Sequence, residues 1–446
     1  MRRDSNTTSS AQRLKREDGV SLIMVALSIF VLTGFLVVVL DYGVLWTARR
    51  QAQNAADAGA LAGAVARSFD ETADPPAANG IAYQAAVAAA QANNVFGEDG
   101  GVVVSWDCPA YAAGGICVRV DVHRDGANID GVAGADSNPL PVFFAHLFGI
   151  NSQNVRATAT AWVATGNTTN CMRPFAVADR WNDIVDPTLT PPEFTRWDTS
   201  GNDAGTELSP KDVYVPQNSS SDGTGYTVED HLGAQVFLKT GNNPNSAANG
   251  MTPGWSLPVR LPDGEGDYVS GGADFNNAIK YCIGNPVTVG DYLPLESGVM
   301  VGPTQQGVDE EPTGDEDSLV EQDLNAKWDT GTKTVVDTCA PGCAPFSPRI
   351  VPVAVFDQDE YQWRTAANNW TDSWTPGVGP NLGAGGFSCP IGGRCIRVVN
   401  IIGFFVEGMA GQDVMGRVVM YPGDFTTGGG EVSGGASFLK TIQLIR

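Results

Sequence analysis

Positive charge and histidine are scarce in this chain. Its 446 residues carry 27 Lys+Arg against 50 Asp+Glu, a net charge of -23, and only three histidines, His123, His146 and His231. This acidity opposes binding to nucleic acid or to an anionic surface, so we expect no nucleic-acid partner. The Gly-x-Ser-x-Gly and His-Glu-x-x-His motifs of hydrolases and zinc proteases are also absent. We therefore expect no enzyme and no cofactor, with an exported carboxylate-dependent hydrolase as a less favoured alternative.

Charge is also missing from the whole segment between Val20 and Leu40. As a helix, these 21 residues would reach about 31 Å, the thickness of the hydrocarbon core of a bilayer. This apolar run therefore predicts one membrane-spanning helix. A cleavable secretory signal would have a shorter apolar core and a small-residue cleavage site directly after it, whereas Asp-Tyr-Gly-Val-Leu-Trp follows here.

Basic residues flank the apolar run unequally. Arg49 and Arg50 follow it, whereas five basic residues precede it: Arg2, Arg3, Arg13, Lys15 and Arg16. The positive-inside rule then keeps residues 1–18 in the cytoplasm and exports the bulk of the chain.

Cysteine is absent from the first part of the chain, and all eight cysteines lie beyond the apolar run: Cys108, Cys117, Cys171, Cys282, Cys339, Cys343, Cys389 and Cys395. An even number in an exported segment predicts four structural disulfides. Eight cysteines allow about 105 pairings, so the sequence leaves the connectivity open. The first and second, the fifth and sixth, and the seventh and eighth are close enough to close small loops, and Cys171 and Cys282 would then pair by elimination. No second knuckle of a zinc site is present, so we expect no metal.

An alanine-rich segment without proline, which we call the stalk, runs from Asp41 to Phe69. Because alanine is the best helix former, the membrane helix is predicted to continue outward as one long helix. Five alanines recur every four residues and form an alanine ridge: Ala48, Ala52, Ala56, Ala60 and Ala64. The ridge can pack within its own domain or against neighbouring subunits, and the periodicity does not separate these alternatives. Our hypothesis is that it docks on partner subunits, which makes an oligomer through the stalk possible.

The apolar run and the stalk together resemble the N-terminal Tad domain of TadG-like proteins, which belong to the bacterial tight-adherence machinery that assembles Flp pili. The specific motif is Arg49-Arg50 followed at residues 53–64 by Gln-Asn-Ala-Ala-Asp-Ala-Gly-Ala-Leu-Ala-Gly-Ala. The resemblance implies a membrane-anchored structural or assembly component of a pilus, located in the bacterial inner membrane with its bulk in the periplasm or outside the cell. It also implies other pilus-assembly proteins as partners.

One feature of prepilins is missing. Prepilins have a glycine cleavage site and a glutamate at the fifth position of the apolar helix, whereas here the fifth residue after Gly19 is Met24. A thioether cannot neutralise the N-terminal amine of a neighbouring subunit as a buried carboxylate can. We therefore expect permanent anchoring rather than processing at Gly19.

The remaining chain predicts an α+β fold with a long N-terminal transmembrane and stalk helix, a small α+β domain and then a β-rich domain stapled by disulfides. We place the Tad-type helix at 19–66, the small domain at 67–165 and the β-rich extracytoplasmic domain at 166–446. In the small domain we predict a helix over 77–94, a hairpin of 102–106 with 116–122, a helix over 141–149 and a strand over 155–163. The distal domain has few helix signals, and its β-like runs lie at 286–289, 349–356, 395–407, 414–421 and 436–444.

A stalked surface adhesin or ligand-binding protein unrelated to pili is the alternative function. Its candidate ligand platform would consist of tryptophans, although most tryptophans of a β-rich domain lie in the core: Trp181, Trp197, Trp255, Trp363, Trp370 and Trp374. Carboxylates also cluster at 263–267 and 309–317, as calcium sites require. Neither cluster has the register of an EF-hand, so we expect solvated acidic loops.

Overall fold

A computed structural model describes residues 10–69, 76–110, 116–125, 138–180, 225–238, 256–265, 267–298, 300–309, 317–340, 342, 346–375, 379–430, 432 and 435–445. The chain divides into two compact units. The first contains residues 1–67, 71–162 and 442–446, and the second contains residues 68–70 and 163–441. The sequence boundaries assigned everything after residue 165 to the distal domain, but the last five residues join the first unit, because the terminal strand lies next to a strand of that unit's sheet.

The helices of the described residues are α1 (Ser10–Phe69), α2 (Ile81–Gln91), α3 (Val228–His231), α4 (Gly272–Lys280), α5 (Val301–Val308) and α6 (Gln358–Ala367), with 3-10 turns at Ala145–Phe148 and Glu321–Asp323. The first nine strands are β1 (Gly101–Ser105), β2 (Ile116–Arg124), β3 (Val155–Thr165), β4 (Thr168–Thr169), β5 (Phe175–Ala178), β6 (Gln235–Leu238), β7 (Ser256–Pro258), β8 (Val287–Thr288) and β9 (Tyr292–Pro294). The others are β10 (Lys327–Asp329), β11 (Thr334–Val336), β12 (Ile350–Phe356), β13 (Ser373–Thr375), β14 (Gly379–Asn381), β15 (Cys395–Ala410), β16 (Asp413–Val419), β17 (Tyr421–Pro422) and β18 (Leu439–Ile445).

The long helix predicted from the apolar run and the stalk is confirmed, because α1 continues without a break for 60 residues. In the first unit, its outer part packs against α2 and against β2. The predicted hairpin is also confirmed: β1 and β2 pair antiparallel from Gly101 with His123 to Ser105 with Arg119. Within this unit, the strands of the sheet follow the order β1-β2-β3-β18.

Strand β2 is buried on both faces, although its sequence alternates between apolar and polar residues. Val118 and Val120 face α1, where they lie against Gly63 and Gly59. On the other face, Asp121 is buried and binds the Thr158 hydroxyl and the guanidinium of Arg156. Polar residues are therefore tolerated inside this unit because each buried charge has a partner.

The second unit is built on a larger sheet of strand order β6-β16-β15-β12-β5-β7, with β9 also pairing with β15. Only the pairing of β5 with β12 is parallel among these neighbours. Alternate residues of the same strands enter two separate hydrophobic cores, so both faces of the sheet are covered. Val353 belongs to one core and Ala354 to the other.

The four helices described in this unit, α3 to α6, were not expected from the sequence. Helix α5 contains Gly302 and Pro303, but both lie in its first turn, where proline loses no intrahelical hydrogen bond. Helix α6 is capped by Asp357, whose carboxylate accepts a hydrogen bond from the backbone N–H of Glu360. These helices are short, and contacts with the sheet rather than their own periodicity stabilise them.

Candidate functional site: the membrane-proximal helix and the turn that it holds

The apolar run has the surface that a bilayer requires. From Val20 to Phe30 every side chain is exposed, and the run belongs to the one helix of the described residues that is long and apolar enough to cross a membrane. Its polar side chains are satisfied locally: the hydroxyls of Ser28 and Thr33 each donate to the backbone oxygen four residues earlier, at 2.8 Å. No polar group among these needs water, so this surface suits hydrocarbon.

Asp41, the first charged residue after the run, is buried and holds a distant segment of the first unit. One carboxylate oxygen accepts the backbone N–H of Phe143 at 2.8 Å, and the other accepts those of Phe144 and Ala145 at 3.0 and 2.6 Å. A carboxylate on several N–H groups at the start of a helical turn acts as a strong cap. Asp41 therefore positions the segment that we call the docked turn, residues 141–150.

The docked turn differs from the predicted helix over 141–149. Only Ala145–Phe148 forms a turn of 3-10 helix, and Gly149 ends it with φ +83°. The backbone N–H of Gly149 and Ile150 close the turn by binding the oxygens of His146 and Ala145. Reciprocal backbone hydrogen bonds between Leu140 and Gln153 join the two chain segments that flank the docked turn. Sequence reasoning missed the role of Asp41, although a lone acidic residue at the end of an apolar run was a usable signal.

The alanine ridge does not face partners. All five alanines (Ala48, Ala52, Ala56, Ala60 and Ala64) are completely buried within the single chain. The hypothesis that this ridge docks on neighbouring subunits is therefore corrected in favour of the intramolecular alternative. The physical reason is that small side chains admit a close neighbour, and the first unit supplies that neighbour itself.

Glycine makes the approach between α1 and α2 especially close. A Cβ added at Gly59 would lie 2.9 Å from the backbone oxygen of Ala86, and one at Gly63 would lie 3.0 Å from the Cβ of Ala86. Gly59 also faces Ala90, whereas Gly63 faces Ala82. The contact positions run in opposite directions along the two helices, so α1 and α2 are antiparallel.

The outward face of the stalk is aromatic near the apolar run. Tyr42 and Trp46 are both at least half exposed, and the guanidinium carbon of Arg50 lies 3.6 Å from the centre of the Trp46 ring. Farther along, Leu61 and Val65 are exposed on the helix. Tyrosine and tryptophan next to an apolar helix are typical of a membrane–water interface.

Three of the predicted disulfides are present: Cys108–Cys117, Cys171–Cys282 and Cys389–Cys395, with Cα separations of 5.2, 4.6 and 5.7 Å. Cys339 is also disulfide-bonded. Its predicted partner, Cys343, lies outside the described residues. The first bridge closes the loop between β1 and β2, and the other two belong to the second unit.

The three histidines lie in different elements of the fold. His123 is buried on β2, and His146 lies in the docked turn. His231 accepts the backbone N–H of Thr227 on Nδ1 at 2.9 Å, which occupies the atom that a general base would use. Burial and the charge of Arg180 lower the pKa of His231, so its neutral form is favoured.

The other candidate ligand sites gain little support from the described residues. Trp181, Trp197 and Trp255 lie outside them, whereas Trp363 and Trp374 are half-buried and pack on each other at 5.7 Å between ring centres. In the acidic loop at 263–267, one oxygen of the first carboxylate accepts the backbone N–H groups of residues 265 and 267. No group of three or more metal-ligating side chains occurs in the part of the chain that is described.

A buried ionic cluster in the second unit was also missed. Glu360 accepts two hydrogen bonds from Arg364 through one oxygen, at 2.8 and 3.0 Å, and binds Arg397 through the other at 3.2 Å. The guanidinium carbon of Arg364 also lies 3.5 Å from the ring centre of Phe387. Close to this cluster, burial raises the pKa of Tyr361 to about 12. The cluster joins α6 to β15 and stabilises the contact between them.

Residues 19–66 match a protein-family model, Tad, whose description is Putative Flp pilus-assembly TadE/G-like. The match covers the apolar run and most of the stalk, and it confirms the resemblance drawn from the motif at residues 49–64. No curated protein and no solved structure matches the chain.

Proposed function

We propose that this chain is a membrane-anchored structural or assembly component of a Flp/Tad-type bacterial pilus, similar to TadG, and that it works without enzymatic chemistry. The observation that carries the proposal is the division of the Tad segment. Its first half is an exposed, uncharged helix, whereas its second half is packed into the first unit. Such a helix holds the folded unit directly next to the membrane.

We place the protein in the inner membrane with a cytoplasmic N-terminus and the bulk of the chain outside the cytoplasm. The basic residues before the apolar run support this orientation. The disulfides support it independently, because they persist in oxidising compartments.

A matched pair of arginine substitutions tests the anchor. Leu32→Arg places a charge near the centre of the apolar run, where arginine costs about 2.5–3.5 kcal/mol on insertion. Leu61→Arg places the same residue on the exposed face of the stalk, where its charge meets water. We expect the first variant to leave the membrane fraction in part and the second to stay there. Equal membrane retention of both variants would contradict anchoring through this run.

Topology and role need separate measurements. Protease added to intact spheroplasts should remove the exported units and leave a short protected fragment. Mass spectrometry of envelope and sheared-pilus fractions then shows whether the chain enters the pilus or stays at its base. Deletion of the gene should abolish or reduce piliation. Normal pili in the deletion strain would favour the adhesin alternative.

A further inference from the structure

Two large apolar side chains of the docked turn are exposed. Phe143 and Ile150 are each 51% exposed, although hydrogen bonds hold the backbone around them. The surrounding segment from residue 137 to residue 155 contains no Asp, Glu, Lys or Arg. In a chain with a net charge of -23, an uncharged segment that presents an exposed phenylalanine and an exposed isoleucine is expected to contact an apolar environment.

The position of the turn identifies that environment. The backbone of the docked turn is hydrogen-bonded to Asp41, which is the residue directly after the apolar run. The polar layer on each side of the hydrocarbon core is several Å thick, and a helix rises roughly 1.5 Å per residue. Asp41, Tyr42 and Trp46 therefore lie within or next to this layer if the run spans the bilayer. Because Asp41 binds its backbone directly, the docked turn lies at the same depth.

We propose that the docked turn is a second membrane contact, which inserts Phe143 and Ile150 into the interface of the leaflet from which α1 emerges. The proposal rests on the membrane anchoring proposed above. Asp41 has two roles in it: its carboxylate ends the apolar run, and it binds the N–H groups of the turn, so neither the charge nor these donors meet the lipid unpaired.

The consequence is a fixed orientation of the first unit. A single helix leaves a domain free to rotate about the helix axis and to tilt, because the lipid around it is uniform. A second contact beside the helix removes most of that freedom. The outward face of the first unit would then be presented in a constant direction, as an assembly component requires.

The test uses the full-length protein in vesicles of phosphatidylethanolamine and phosphatidylglycerol. An environment-sensitive fluorescent amino acid replaces Phe143 or Ile150, and spin-labelled lipids quench it at shallow or deep positions. Leu32 is the inserted control site. Ile81 is the matched exposed control, because it is also 51% exposed in the first unit but lies at the start of α2, far along α1 from Asp41.

We expect the probes at 143 and 150 to shift to the blue and to be quenched by the shallow label. The probe at 81 should stay unquenched and the probe at 32 should be quenched by the deep label. Asp41→Ala should reduce quenching at 143 and leave quenching at 32 unchanged.

Three results would overturn the inference. If 143 and 150 behave like 81 while 32 is quenched, the anchor stands and the second contact does not exist. A blue shift at 143 without quenching by lipid would mean that a protein surface covers the turn. If 32 itself is not quenched, the proposed anchoring is wrong, and the inference is lost with it.

Discussion

Replacing Gly59 with alanine tests the close approach of α1 to α2. The new Cβ would lie 2.9 Å from the Ala86 backbone oxygen, 3.0 Å from the Cβ of Ala90 and 3.2 Å from a methyl group of Val120. Overpacking of this kind costs about 1–3 kcal/mol. The upper end applies here, because the nearest atom belongs to the backbone of a packed helix and cannot rotate away.

The same substitution also improves helix propensity. Alanine is favoured over glycine by about 1 kcal/mol inside a helix, which offsets part of the clash. The free energy of unfolding should therefore fall by about 2 kcal/mol in total. For a unit of this size, the melting temperature should fall by roughly 4–8 °C, since 1 kcal/mol corresponds to about 2–4 °C.

Gly43→Ala is the matched control on the same helix, because a Cβ there meets no atom within 4 Å. This variant should have a free energy of unfolding up to about 1 kcal/mol higher and a higher melting temperature. Thermal unfolding of both full-length variants in detergent, followed by circular dichroism, measures the difference in sign. If Gly59→Ala is as stable as the native protein while Gly43→Ala shows its gain, the helices are not in the contact described.

Three further predictions concern the second unit. Non-reducing peptide mapping should join Cys171 to Cys282, and free thiols there in protein from the native envelope would contradict the pairing. Glu360→Gln should lower the free energy of unfolding by about 3–5 kcal/mol, because it removes the charge that pairs with two arginines. As a control, Asp337→Asn changes an exposed ion pair and should leave the melting temperature unchanged. Burial raises the pKa of Tyr226 from 10 to about 12, so the unfolded chain loses this proton first and stability should fall as the pH rises from 10 to 12. Tyr226→Phe should flatten that part of the pH profile, and an unchanged slope would refute the assignment.

Local patterns were sufficient for several elements of the fold. The continuous helix follows from composition, since uncharged and alanine-rich segments without proline favour helix wherever they lie. The hairpin of β1 and β2 follows from two β-like runs joined by a short loop with a cysteine at each end. Pairing of Cys171 with Cys282 followed from counting, because the other cysteines have closer partners. Helices α3 to α6 were not predicted, because their own sequences carry weak signals and their stability comes from tertiary contacts.

The sequence by itself determined that this chain has one apolar helix long enough to span a membrane, an extended stalk and the motif of a Tad domain. These are properties of consecutive residues. Only the tertiary structure decided which surfaces stay exposed. The alanine ridge is covered by its own unit, and Asp41 binds backbone groups of a turn that begins about a hundred residues later. Both results depend on contacts between distant segments, and no local periodicity carries that information.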